Sequence, residues 1–219
     1  MDKVKHFLSR WKAEYDFKTY MAAAGSLAST LFFAFYNGFL GIYHASLWHG
    51  TICVYYIILT LLRGSIITVA KRIARNEEQE KARNNAFLAI SSLLLILNIS
   101  LIVPISMMVR QQKPVSLTLI PAIAMAAYTT YKVTMASVNL KRRRASSDSL
   151  VWLLRTISFI DALVSILTLQ NTLIMVNSTG EDLMSMLPLT AITSFCVWVT
   201  VLLLSFSAII KGIRRVRNG

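Results

Sequence analysis

Six long apolar runs, separated by short polar stretches, constrain the fold of this chain more than any other feature. They lie at 19–42, 50–70, 86–109, 115–140, 150–176 and 187–210. The hydrocarbon core of a membrane is about 30 Å thick, a distance that about 20 helical residues can cross. Strands would have to close into a barrel to satisfy their backbone groups in lipid. With 55% hydrophobic residues, the chain is also too apolar for a soluble domain.

We therefore predict an all-α, polytopic integral membrane protein that consists of one six-helix transmembrane domain at 19–210. Outer turns are expected near 44–48, 110–114 and 177–186. These turns favour three helical hairpins, although two inverted halves of three helices fit the same number of spans. Prolines interrupt a helical hydrogen-bond ladder, so Pro104 and Pro121 are expected to kink the third and fourth helices.

Lysine and arginine collect on one side of the predicted membrane, in the four segments 1–18, 71–83, 141–144 and 211–217. The other side offers only Arg110 and Lys113. Short cytoplasmic loops are enriched in these residues. We therefore expect both termini in the cytoplasm, with a basic cytoplasmic tail at 211–219, and we expect the plasma membrane rather than an internal one.

The net charge of +13 does not predict nucleic-acid binding, because the cations are spread over helix ends instead of one basic face. Anionic lipid headgroups are the simpler partners. The candidate contacts for such lipids or for a partner protein are Lys141, Arg142, Arg143 and Arg144. A partner membrane protein or a second copy of the chain would pack against the bundle itself.

The segment 1–18 has the pattern of an amphipathic helix. Its apolar residues recur at helical spacing, with cations on the other faces: Val4, Phe7, Leu8, Trp11 and Tyr15. Such a helix lies in the membrane interface, where Trp11 would contact lipid. No small-residue cleavage site follows, so we expect the segment to remain in the mature protein.

Asp161 is the only acidic residue in the six runs. Ionisable groups inside a membrane are costly, so they usually face the bundle interior and pair with each other. We expect Asp161 to pair with Arg63 or Lys132, which lie in other runs. The supporting polar groups that we select are Asn98, Tyr56, Tyr128 and Ser165. Small residues in the first run, such as Ala28 and Ser29, predict close helix packing.

Two interpretations of this polar site remain open. In the first, it is a structural salt bridge that keeps the helices in register. In the second, Asp161 accepts a cation or proton and the basic side chains attract an anionic group. The second interpretation predicts a small transporter or channel for an ion or small solute. The alternative is a non-catalytic membrane subunit or regulator that docks partners or anionic lipids through its basic linkers.

Sequence motifs for catalysis are missing, and we predict that the chain is not an enzyme and has no cofactor. It contains no HExxH, no GxSxG and no glycine-rich phosphate loop. His44 and His49 have no third metal ligand near them in sequence, so no metal site is expected. Cys53 and Cys196 lie inside apolar runs, where a disulfide is not expected.

Overall fold

The computed structural model describes residues 25–73, 80–110, 119–142, 149–177 and 180–218, which are helical apart from two short breaks. The helices are α1 (Gly25–Tyr43), α2 (Leu47–Ile73), α3 (Glu80–Ser100), α4 (Ile102–Arg110), α5 (Leu119–Arg142), α6 (Ser149–Asn177) and α7 (Gly180–Asn218). The predictions made for 1–18, including Trp11, and for Arg143 and Arg144 lie outside the described residues. Lys141 and Arg142 end α5.

Five helical segments are long and apolar enough to cross a membrane: Gly25–Tyr43, Leu47–Arg72, Glu80–Ser106, Ser149–Ile174 and Pro188–Arg217. Large apolar side chains on their outer faces, such as Phe32 of α1 and Leu203 of α7, are more than half exposed. Lipid is the solvent that suits such faces. The chain is therefore an all-α membrane protein, as the sequence predicts. α5 is not among the five, because Lys132 and three threonines reduce its apolar character.

The helix α6 lies at the centre of the bundle. In an apolar 18-residue stretch of its membrane-length segment 72% of the residues are buried, against 22–44% in the corresponding stretches of the other four segments. It packs along α5 and α7 and also contacts α2 and α3, while α3 packs along α7. Many polar side chains on α6 are consequently buried within the bundle, and Asp161 is fully buried.

A tight turn at 44–46 joins α1 to α2, inside the region where the sequence predicts the first outer turn. Ser46 N donates to Gly41 O at 3.0 Å and Ala45 N donates to Ile42 O at 3.4 Å, which is the Schellman pattern that ends many helices. Ala45 holds the left-handed position of this motif with φ 48°. Gly41 permits the close approach of the helices, because a Cβ there would lie 3.0 Å from Gly50 N.

The third apolar run is divided at Leu101 into α3 and α4. Pro104 has no N–H to donate to the carbonyl of Ser100, four residues earlier, so the helical ladder is interrupted at this point. The break between α3 and α4 thus lies next to Pro104, where the sequence predicts a kink. Pro121, for which a kink is also predicted, lies within α5, two residues after the first residue of that helix that the structure describes.

Helix α7 is longer than the sequence analysis suggests, with 39 residues and Pro188 inside it. Residues 180–186, expected in an outer turn, are helical. Prolines are tolerated in membrane helices, so Pro188 is a poor marker of the start of a helix. At the other end the apolar run stops at Ile210, but lysine and arginine are good helix formers and the helix continues to Asn218.

Candidate functional site

Polar residues recur at helical spacing along one face of α6, and this face points into the bundle. Asp161, Ser165, Thr168 and Thr172 are all buried. The hydroxyls of the two threonines donate to carbonyl oxygens one turn earlier, at 3.0 Å for Thr168 and 2.8 Å for Thr172. These side chains are therefore satisfied within the helix. Asp161 has no such local partner and must find its donors on other helices.

Both cationic residues expected near Asp161 contact it, and they contact the same oxygen. Arg63 Nη2 of α2 lies 2.8 Å from Asp161 Oδ2, and Lys132 Nζ of α5 donates to the same Oδ2. Arg63 is 1% exposed and Lys132 is 4% exposed, so the interaction is sheltered from solvent. Charge-assisted hydrogen bonds are strong in such surroundings. We call Arg63, Lys132 and Asp161 the triad.

Helix α1 contributes two hydroxyl groups to the triad. Thr30 Oγ1 lies 3.2 Å from Asp161 Oδ2, and it accepts hydrogen bonds from Arg63 Nη1 at 2.9 Å and from Lys132 Nζ at 2.6 Å. Ser26 Oγ accepts a second bond from Arg63 Nη1 at 2.8 Å. Four helices, α1, α2, α5 and α6, thus meet at one carboxylate oxygen.

Sequence reasoning missed Thr30 and Ser26. It interpreted the small residues of the first run as a packing surface, and hydroxyl side chains are so common in membrane helices that these two carry little signal. The available signal was their spacing, because residues four apart share one face of a helix. Thr30 Oγ1 also lies 2.8 Å from the carbonyl of Ser26, within its own helix.

The triad does not use all of its hydrogen-bonding capacity. Asp161 Oδ1 and Arg63 Nε are both buried without a hydrogen-bond partner among the described residues. Arginine and carboxylate usually pair through two parallel bonds when the geometry allows it. Here the convergence of Arg63, Lys132 and Thr30 on Oδ2 leaves one acceptor oxygen and one donor nitrogen unused.

The charges of the triad are unequal, since two cations face one carboxylate. The other salt bridge among the described helices joins Arg83 to the exposed Glu80 of α3 at 3.6 Å. It does not neutralise the charge of the triad. A buried cation without its own counter-ion is costly. With Arg63 and Lys132 protonated and Asp161 ionised, the site has a formal charge of +1 in the interior of the bundle.

Aromatic side chains close one side of the triad. Phe33 stacks on Tyr128 with ring centroids 3.5 Å apart, and Tyr56 meets Phe33 edge-on at 5.9 Å. Lys132 Nζ lies 5.2 Å from the centre of the Tyr128 ring, one helical turn away on α5. Aromatic faces attract cations, so Tyr128 adds to the stabilisation of Lys132. Tyr56 and Tyr128, both selected from sequence, thus lie beside the triad.

Ser165 lies one turn after Asp161, but its hydroxyl is used locally. Its Oγ donates to the carbonyl of Ala162 at 2.8 Å, and its own carbonyl accepts from Thr129 Oγ1 of α5 at 3.1 Å. Ser165 therefore helps to hold α5 against α6. It supplies no direct hydrogen bond to the carboxylate of Asp161.

Asn98 is not brought to the triad. Its Oδ1 accepts from Tyr55 OH of α2 at 2.9 Å, its Nδ2 donates to Ser205 Oγ of α7 at 2.7 Å, and its carbonyl accepts from Trp198 Nε1 at 3.1 Å. None of these bonds reaches Asp161. Asn98 joins three helices in a separate network, the common role of asparagine in membrane helices.

A third polar contact lies near the turn that joins α1 to α2. Asn37 Nδ2 donates to the carbonyl of Phe33 at 2.9 Å, which turns its Oδ1 towards His49 Nδ1 at 3.1 Å. An amide oxygen only accepts, so Nδ1 of His49 carries the proton. Within the described helices no three His, Cys, Asp or Glu side chains are grouped to hold a metal ion, and Cys53 and Cys196 are free thiols.

The arrangement can attract negative charge, because its donors outnumber its carboxylate, and it can hold or release a proton at Asp161. No protein-family model, curated protein or solved structure matches this chain. The chemistry of the site therefore follows from its own residues alone.

Proposed function

We propose that this chain is a small membrane transporter or channel for an ion or small solute, with the triad as its binding site. The observation that carries the proposal is the sharing of one oxygen, Asp161 Oδ2, by two buried cations while Oδ1 has no partner. A structural salt bridge needs one cation for one carboxylate. The second cation, Lys132, costs desolvation energy and pairs with the same carboxylate, so it has no negative charge of its own, which favours a functional role for the excess charge.

The bundle proposed for this function has six membrane-spanning helices, with α5 as the sixth. Its 24 residues rise about 1.5 Å each, so the helix is long enough to cross the hydrocarbon core. Lys132, the residue that most lowers its apolar character, is buried against Asp161 instead of facing lipid. Three hairpins, with both termini on the basic cytoplasmic side, remain our proposed arrangement.

The proposed mechanism is alternating exposure of the triad. In the present conformation Asp161, Arg63 and Lys132 are all at most 4% exposed, so a solute reaches them only after helices move apart. Four helices meet at Asp161 Oδ2, and breaking its bonds on one side would release α1 or α5 from α6. Protonation or ligand binding at the triad would thus favour one state over the other.

Reconstitution of the purified protein into liposomes tests the proposal. Fluxes of protons, alkali cations and small anions are compared for the wild type, Asp161→Asn and Glu80→Gln. The last variant is a matched control, because it also removes one carboxylate charge but lies at an exposed end of α3. We expect flux in the wild type and in Glu80→Gln, and none in a folded Asp161→Asn protein.

Unchanged flux in Asp161→Asn would reject the triad as the transport site. If the wild type moves none of these ions and copurifies with a stoichiometric membrane protein, the accessory-subunit interpretation replaces transport.

A further inference from the structure

We infer that the triad binds a small carboxylate-like anion in place of the Asp161 side chain, and that Asp161 takes up one proton in exchange. This inference rests on the transport function proposed above and names the substrate class and the coupling ion of that site. It follows from which atoms converge on Asp161 Oδ2.

Asp161 Oδ2 occupies a position built for an anionic oxygen. Polar atoms from three helices surround it: Arg63 Nη2 at 2.8 Å and Lys132 Nζ donate to it, and Thr30 Oγ1 lies 3.2 Å away. These atoms belong to α2, α5 and α1, whereas the oxygen belongs to α6. The carboxylate of α6 is therefore a ligand supplied by the protein itself, and an anion of the same chemistry fits the same donors.

A cation does not suit this position. The triad already has one more positive than negative charge, so a bound cation would increase the imbalance. Metal cations also need several oxygen ligands, and Asp161 is the one carboxylate at the site, with Oδ2 already surrounded by donors. An anion balances the second cation, and a single negative charge is enough to do so.

Displacement of Asp161 from its donors leaves a carboxylate that is fully buried. Such a charge costs several kcal/mol without a partner, and protonation removes it. The balanced step has the anion accept the bonds of Arg63 and Lys132 while one carboxylate oxygen of Asp161 forms an O–H bond. The proton comes from water as hydronium. Oδ1, which has no partner, is free to carry it.

The groups that face Asp161 are few. Helix α2 supplies Arg63, Tyr55 and Tyr56, and α5 supplies Lys132 and Tyr128. Helix α1 supplies the hydroxyls of Thr30 and Ser26, which are not charged. In the described parts of α3 and α7, no charged side chain is placed against Asp161. The carboxylate of Asp161 and the bound anion therefore compete for the hydrogen bonds of Arg63 and Lys132.

Isothermal titration of the purified protein with formate and with nitrate, between pH 6 and pH 8, tests the inference. Both probes stay fully ionised in this range, so a pH effect belongs to the protein. One linked proton predicts that the affinity of the wild type falls about tenfold per pH unit. Asp161→Asn should bind formate more tightly than the wild type at pH 8 and without pH dependence. Glu80→Gln should behave as the wild type.

A double variant, Asp161→Asn with Lys132→Gln, serves if the single variant does not fold, because it keeps the net charge of the triad. It too should bind formate without pH dependence. Binding to the wild type that does not vary with pH would overturn the inference, and so would pH-dependent binding in the double variant.

The two proposals fail in different ways. Cation flux in liposomes without any anion binding would reject the anion inference and leave transport standing. Proton-linked anion binding without flux of that anion would reject transport, but the inference that the triad binds an anion with one proton would stand.

Discussion

Arg63 and Asp161 are joined by one hydrogen bond of 2.8 Å from Nη2 to Oδ2, while Nε of the arginine and Oδ1 of the carboxylate have no partner. A two-bond pair would use both of these atoms. Lys132 and Thr30 bind the same Oδ2, and the arginine also reaches Thr30 and Ser26 through Nη1. The arginine is therefore shared between α1 and α6.

Asp161→Asn should lower the free energy of unfolding by about 3–5 kcal/mol, because it leaves two buried cations unpaired. Adding Lys132→Gln should restore part of this loss, with a coupling energy of about 1–3 kcal/mol in a double-mutant cycle. Thermal or denaturant unfolding in detergent provides the measurement. Strictly additive effects of the two substitutions would show that Lys132 and Asp161 do not interact in solution.

Thr30→Val should destabilise the protein by about 1–3 kcal/mol, because the isosteric side chain removes the acceptor used by Arg63 and Lys132. Thr134→Val is the matched control, since the exposed hydroxyl of Thr134 bonds only to its own helix at 2.8 Å. Unfolding of the two variants is compared in the same detergent. Equal effects at Thr30 and Thr134 would contradict the role of Thr30.

Ala45→Gly should stabilise the protein by up to about 1 kcal/mol. A left-handed conformation costs alanine about 1–2 kcal/mol, and the larger backbone entropy that glycine loses on folding offsets part of this gain. Ala28→Gly, at an exposed position inside α1, should instead destabilise it by about 1 kcal/mol. The melting temperatures should move in opposite directions. A loss of stability in Ala45→Gly would mean that the turn does not hold this conformation.

Asn98→Ala should cost about 1 kcal/mol of stability, because it removes the bonds to Tyr55 and Ser205 that link three helices. Its effect on formate binding should be small, since none of its bonds reaches the triad. Unfolding and titration on the same preparation separate the two effects. A tenfold loss of formate affinity with unchanged stability would return Asn98 to the binding site.

The pairing of Asp161 with Arg63 and Lys132 could be anticipated from sequence, because a lone carboxylate in apolar runs requires a cation and few were available. That both cations contact the same carboxylate oxygen could not be predicted from sequence. Counting residues along a helix gives depth, but it does not give rotation about the helix axis. Asn98 illustrates this, since the sequence groups it with Asp161 while its side chain bonds to Tyr55 of α2 and Ser205 of α7.

For the fold too, sequence patterns predict some features, and tertiary packing determines the others. Apolar runs predict membrane helices because lipid imposes their length, and five segments meet that condition. The burial of α6 and the break at Leu101 depend on contacts and on one proline. The extent of α7 was underestimated because its basic end is helical without being apolar.

The excess positive charge of the triad has an electrical consequence. An empty triad carries one net positive charge, and a triad that has gained one monovalent anion and one proton carries the same charge. A membrane potential acts on each elementary charge with about 2.3 kcal/mol per 100 mV. The potential therefore does equal and opposite work on the loaded triad moving in one direction and on the empty triad moving back. The two contributions cancel over a complete transport cycle. The proposed transport cycle would therefore be electroneutral, and concentration gradients instead of voltage would set its direction.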